Sequence, residues 1–240
     1  MIGEHMEQIM NGQNEEQKIE VLGIKMDNYF LEKVMEHFEE YLENDFLNTI
    51  GVISTSLLSA ASEDRELKQQ IENLDMTIVG EKEILEAANV LHKRRYKEVE
   101  NHQFVTTFFK YIQEYNRTIF LLVDREEQIK KLNDYLSEKY KGINVVGAYA
   151  VETGTENEDK IINEINGMSP DIIVSVIGTT FQEKFIDNNR QKLNAKVWLG
   201  LGHHERARNS IGLKPSWLSK LVDKTLFKRL VSKYNSEMSE

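Results

Sequence analysis

Polar side chains gather in this sequence where a buried strand is predicted to meet a helix. Residues 172–177 form an apolar, β-branched run that follows Pro170 and ends at Gly178, which is typical of a strand covered on both faces. The predicted first turn of the next helix carries Gln182, Glu183 and Lys184. Open α/β sheets bind ligands at this position, where free backbone N–H groups favour anions. The alternative is that these side chains only cap the helix and balance its dipole.

Other motifs that could carry chemistry are weak. His203, His204 and Glu205 are adjacent, but neighbouring histidines on a loop rarely point at one ion, and no third ligand has suitable spacing. We therefore predict no metal site. The sequence contains neither a Walker motif nor a Gly-x-Gly-x-x-Gly motif, and we predict no cofactor.

Composition excludes several classes of protein. The 240 residues are 40% hydrophobic and 29% charged, an ordinary globular balance. The formal net charge of −10 argues against nucleic acid as a partner. The absence of cysteine excludes disulfides and fits a reducing cytoplasm. No apolar run approaches the ~18 residues of a membrane span. Because residues 1–18 are polar and lack the apolar segment of a secretory signal, we interpret them as a leader.

The elements that must position the polar cluster alternate regularly in the second half of the chain. We predict strands over 118–123, 143–149, 172–177 and 195–201, separated by helical patterns. This alternation is the signature of a doubly wound, mostly parallel, Rossmann-like α/β sheet. Right-handed crossovers would place the loops after Val123, Tyr149, Ile177 and Leu201 on one edge of that sheet.

The first half of the chain is less regular. We predict strands over 20–24, 49–54 and 76–79, and one helix over 83–95. Together with the second half, these elements indicate one α/β domain over 19–202. We expect a helical appendage over 203–240.

The appendage contains a basic amphipathic helix over 215–233. Its cationic stripe is Lys220, Lys224 and Lys228, with Arg229 beside it, and Trp217 lies near its start. One interpretation is an interfacial helix at an anionic membrane surface, which would make the protein peripheral at the inner face of the plasma membrane. The other is a terminal helix that packs on its own domain or on another subunit.

The order of several motifs resembles the WecG/TagA/CpsF glycosyltransferases. Pro170 to Ile173, then Gly178, then Gln182 to Phe185 are similar to the family signature of Pro-Asp-Ile, Gly and Gln-Glu-Lys-Trp. The segments 21–24 and 161–166 and the Pro-Ser-Trp at 215–217 also resemble the family, so the similarity covers most of the chain.

The resemblance implies transfer of an amino sugar from a UDP donor to a polyprenyl-diphosphate-linked sugar in cell-envelope polysaccharide or teichoic acid synthesis. It implies inversion at the anomeric carbon, no metal, and an aspartate as general base. The nucleotide-sugar site that it implies comprises Ser54, Gly80, Gly178, Gln182, Glu183 and Lys184.

Some positions depart from the family pattern. The family's Asp-Gly, which supplies the base, falls on Gly80-Glu81. One hypothesis is that Glu81 reaches the same acceptor hydroxyl and acts as a substitute base. The other is that activity is impaired or lost, because a positioned base typically contributes about 10²- to 10⁴-fold. The chain would then be a non-catalytic partner of an active glycosyltransferase, or one subunit of a homo-oligomer. We expect Gly80 and Gln182 to border one cleft in either case.

Overall fold

A computed structural model describes residues 18–151, 158–177, 179–202 and 217–238. The side chains of residues 179–180 and 217–223 are outside this description. The predicted leader is therefore almost entirely outside the described residues, as are Gly178 and the motif at His203, His204 and Glu205.

Within the described residues, six parallel strands form the central sheet in the order β4-β3-β8-β7-β5-β6. They are β3 (Asn48–Ile53), β4 (Met76–Val79), β5 (Thr118–Val123), β6 (Asn144–Ala150), β7 (Ile172–Ser175) and β8 (Val197–Gly200). A separate antiparallel hairpin comprises β1 (Lys18–Val21) and β2 (Ile24–Asp27). The predicted doubly wound α/β fold is confirmed, with β7 in the middle of the sheet.

Helices cover both faces of the sheet. The described helices are α1 (Leu31–Glu43), α2 (Thr55–Ala61), α3 (Arg65–Glu72), α4 (Lys82–Ala87), α5 (Lys93–Glu100), α6 (Gln103–Glu114), α7 (Glu126–Lys139), α8 (Glu158–Met168), α9 (Thr179–Asn189) and α10 (Trp217–Glu237), with a 3₁₀ turn at Arg190–Lys192. The first face packs on α1, α6 and α7. The second face packs on α2, α3, α4, α8, α9 and α10.

Alternation along each strand assigns its residues to these faces. On β8, Leu199 joins the apolar cluster of the first face, and Trp198 joins that of the second. Strand β7 is buried along its whole length, and Ile172 and Ile173 have no exposed surface. Such burial explains the continuous apolar run that marked this strand in the sequence.

Three predicted boundaries were wrong. The strand over 20–24 is a hairpin, because Leu22 and Gly23 take positive φ values of 54° and 73° and reverse the chain. The helix over 83–95 is interrupted at residues 88–92, where Asn89 has a φ of 55° and the side chain of His92 caps α5. Strand β7 ends at Ser175, where its pairing with Gly200 of β8 ends, although Ile177 is still buried.

The amphipathic helix α10 packs on its own domain. Phe227 is only 1% exposed and lies in the apolar cluster of α2, α3 and α4. Lys224 forms an ion pair with Glu83 of α4. Within the described ranges, no helix is long and apolar enough to cross a membrane.

Candidate functional site

Three buried polar side chains lie together where β7 leads into α9. Ser175 ends the strand, and Gln182 and Glu183 lie in the first part of the helix; each is at most 4% exposed. Nε2 of Gln182 donates to Oε1 of Glu183 over 2.9 Å. Among the described residues, Oγ of Ser175, Oε1 of Gln182 and Oε2 of Glu183 find no hydrogen-bond partner. Because buried polar atoms are rarely left unpaired, this cluster is a candidate ligand site.

A glycine on the neighbouring strand makes room for the cluster. A Cβ atom on Gly200 would lie 2.7 Å from Nε2 and 3.1 Å from Cδ of Gln182. Gly202, with a φ of +48°, lies close to the same amide group. A side chain at Gly200 would therefore require the amide group of Gln182 to shift.

Burial sets the protonation of Glu183. Desolvation raises the pKa of its carboxyl group to about 7, and hydrogen bonds from Gln182 and from its own backbone N–H oppose part of that rise. Near neutral pH this group therefore exchanges between an acceptor-only carboxylate and a carboxylic acid that can donate a hydrogen bond.

A cavity lies at the same edge of the sheet, at the carboxyl ends of β3 and β4, and its empty space of about 430 Å³ includes open solvent. Its described lining consists of Leu31, Val34, Val52, Ile78, Val79, Gly80, Arg95, Glu98, Val99, His102, Phe104 and Val105. The lining is largely apolar with a few charged groups, which is the usual character of a small-molecule site.

An ion pair forms the polar wall of this cavity. Glu98 and Arg95 are both 5% exposed, and a guanidinium nitrogen of Arg95 lies 3.6 Å from Oε2 of Glu98. The carboxylate also accepts from Nε of Arg94 at 3.0 Å and from the backbone N–H of Leu31 at 3.3 Å. Nε of Arg95 donates to Oδ1 of Asn28 at 3.0 Å. Burial lowers the pKa of Arg95, and Glu98 counteracts that effect.

The side chain of Glu81 points to the N-terminus of α2. Its Oε2 accepts from Oγ1 of Thr55 at 2.7 Å and from the Thr55 backbone N–H at 3.4 Å. It is 9% exposed and is absent from the lining of the cavity. Ser54 also has a local role, because its Oγ accepts from the backbone N–H of Leu57 and caps α2.

The structure brings the predicted site residues only partly together. Gln182 and Glu183 form one cluster, whereas Lys184 is exposed. Gly80 lines the cavity at the ends of β3 and β4, whereas the side chain of Gln182 lies against Gly200 of β8. The described lining of this cavity does not include Gln182, so the expectation that one cleft borders both residues stays a prediction.

Sequence reasoning missed several residues of these two regions. Ser175 had a signal, since it is a polar residue inside an otherwise apolar run. Gly200, Arg95, Glu98 and His102 had none, because only the packing of distant segments places them here.

The residues predicted to contact a membrane divide into two groups. Lys224 pairs with Glu83 beneath α10, whereas Lys228 and Arg229 are exposed on its outer face. Trp217 and Lys220 lie in the helix, but their side chains are outside the described part. Among residues with described positions, no group of three or more His, Asp or Glu could hold a metal ion.

A doubly wound sheet with a polar crevice at the carboxyl ends of its central strands is the architecture of proteins that bind nucleotides and related anionic ligands. Residues 19–204 match the family described as "Glycosyl transferase WecG/TagA/CpsF family", and the chain belongs to this family. A curated relative from Bacillus subtilis (strain 168) is N-acetylglucosaminyldiphosphoundecaprenol N-acetyl-beta-D-mannosaminyltransferase. It is 20% identical over 190 residues, covering 77% of this chain and 73% of the relative.

Proposed function

We propose that the protein binds a UDP-N-acetylhexosamine and transfers the sugar to a polyprenyl-diphosphate-linked acceptor in cell-envelope polysaccharide or teichoic acid synthesis. The observation that carries this proposal is the set of buried atoms on Ser175, Gln182 and Glu183, between the end of β7 and the first part of α9, that have no hydrogen-bond partner among the described residues. Family membership and the activity named for the Bacillus subtilis relative support it.

The chemistry of the cluster suits a nucleotide sugar. The start of α9 offers backbone N–H groups to a diphosphate. Gln182 and Ser175 supply an amide oxygen and a hydroxyl group that can pair with ribose or base. Gly200 leaves room for the side chain of Gln182, because a Cβ atom at this position would lie 2.7 Å from Nε2 of Gln182.

Impaired turnover through Glu81 is part of this proposal. Gly80 has no side chain to take a proton, and the carboxylate of Glu81 is held by Thr55. For Glu81 to act as base, it would have to release these hydrogen bonds and turn toward the acceptor. These contacts also favour the second candidate function, a non-catalytic partner that binds the donor or docks on an active glycosyltransferase.

Calorimetry with UDP and UDP-N-acetylhexosamines tests donor binding. We expect Gly200→Ala to weaken UDP binding about fivefold or more, because the new Cβ shifts the amide group of Gln182 and each lost hydrogen bond costs about 1 kcal/mol or more. Gly167→Ala on α8 is the matched control, since a Cβ there has nothing within 4 Å. The absence of heat at millimolar ligand for the unaltered protein would reject the donor site.

We also propose that the outer face of α10 contacts an anionic membrane. Lys228 and Arg229 are exposed beside Leu226, which is 50% exposed. Each such cation is worth about 1 kcal/mol near an anionic surface. Replacing both by Gln should therefore weaken sedimentation with phosphatidylserine vesicles by roughly tenfold or more.

The control removes one exposed positive charge elsewhere. Lys130 on α7 is highly exposed and lies on the opposite face of the sheet, so Lys130→Gln should leave vesicle binding almost unchanged. Equal loss from the control and the α10 variant would show a general charge effect and contradict the proposed contact.

A further inference from the structure

The histidine in the cavity beside Gly80 has an uncommon backbone conformation. His102 takes a φ of 49° and a ψ of 42°, which is left-handed, at the start of α6. Such a conformation is uncommon for a residue other than glycine, and residues held this way cluster at functional sites. His102 is half-buried and lines the cavity together with Gly80, Arg95 and Glu98.

The other ionisable groups of the described lining are poorly suited to accept a proton. Arg95 is a cation. Glu98 already accepts from the Leu31 N–H and from Arg94, and it lies beside Arg95; such contacts stabilise a carboxylate and lower its basicity. An imidazole combines suitable basicity near neutral pH with two ring nitrogens that can exchange protons.

The location of the cavity also fits an acceptor. Gly80 follows β4, and Gln182 lies over Gly200 of β8. Because β3 alone separates them, β4 and β8 are two strand spacings, or roughly 10 Å, apart in the sheet. A sugar linked to a nucleotide diphosphate bound at α9 could extend over the edge of the sheet toward this cavity.

We propose that the cavity receives the acceptor sugar and that His102 is the general base, an inference that rests on the proposed function. A ring nitrogen of His102 takes the proton of the acceptor hydroxyl. The hydroxyl oxygen forms a bond to the anomeric carbon of the donor, while the bond from that carbon to the diphosphate breaks. UDP leaves with the bonding electron pair, and the imidazolium later releases its proton to water.

The experiment measures transfer from UDP-N-acetylhexosamine to a short-chain polyprenyl diphosphate N-acetylglucosamine. His102→Asn should lower kcat about 10²- to 10⁴-fold while UDP affinity changes less than twofold. Asparagine tolerates the left-handed backbone, so the site should keep its shape. His37→Asn on α1, outside the cavity lining, is the matched control and should keep full activity.

Two further measurements separate a base from a structural residue. For the unaltered protein, kcat/KM should rise with pH as the general base loses its proton, and His102→Asn should lose this rise. His102→Gly keeps the positive φ and leaves space for a free base, so added imidazole should restore part of its transfer activity.

Each contrary outcome has a distinct meaning. Full transfer by His102→Asn, or a comparable loss confined to Glu81→Gln, would overturn the assignment of His102 and favour Glu81. UDP binding without any transfer by the unaltered protein would also reject His102 as base but leave the donor site standing. Absence of UDP binding would reject the proposed function, and the assignment of His102 with it.

Discussion

Replacing Arg95 by leucine is expected to lower the free energy of unfolding by about 3–5 kcal/mol. The guanidinium is buried between Asn28 and Glu98. Its removal leaves the Glu98 carboxylate in a nearly dry environment with a weaker set of partners. Breaking one half of a buried pair costs more than the pair itself contributes, because the remaining charge keeps its desolvation cost.

Urea denaturation of Arg95→Leu beside Arg94→Leu measures this effect. Both arginines contact Glu98, but the side chain of Arg94 is 53% exposed, and exposed pairs contribute only about 0–1 kcal/mol. We expect a loss of about 1 kcal/mol or less for Arg94→Leu. Similar losses for both variants would show that burial is not what makes the Arg95 contact important.

The second large effect is a pH dependence of stability that arises at Glu183. Its pKa is about 7 in the folded protein, against an ordinary value of 4.5. Between these values the folded state binds more protons than the unfolded state, so stability falls as pH rises. The contribution of Glu183 to the free energy of unfolding falls by up to about 1.4 kcal/mol per pH unit. Between pH 4.5 and pH 7 the total decrease is about 3 kcal/mol.

Glu183→Gln removes this titration. The free energy of unfolding of the variant, minus that of the unaltered protein, should therefore rise from pH 4.5 to pH 7 and stay constant above pH 7. Urea denaturation at a series of pH values measures this difference. Glu164→Gln on the exposed side of α8 controls for the loss of a surface carboxylate. A difference between Glu183→Gln and the unaltered protein that does not change with pH would contradict the raised pKa.

The sheet could be predicted from the sequence because its strands carry strong local signals. Residues 172–177 are apolar and β-branched, and burial on both faces requires such residues. The interruption of the helix over 83–95 was missed. It depends on a positive φ at Asn89 and a cap from His92, and the spacing of apolar residues carries no information about either feature.

The candidate site was harder to predict than the fold. Glu81 adjoins Gly80 in sequence, yet its side chain turns to Thr55, a residue far away along the chain. His102 reaches the cavity only because α5 and α6 fold back over the ends of β3 and β4. The sequence thus suggested Glu81 as the base, whereas the described lining of the cavity contains His102 and not Glu81.

The strand order has a consequence for synthesis on the ribosome. β3 lies between β4 and β8, so Ile50 pairs with Met76 on one side and with Leu199 on the other. The nascent chain must hold the β3–β4 pair with an open apolar edge until β8 has emerged. Contacts of such long range slow folding and leave intermediates prone to aggregation. A chain truncated before β8 lacks one neighbour of β3 altogether, so slower translation should not prevent its aggregation.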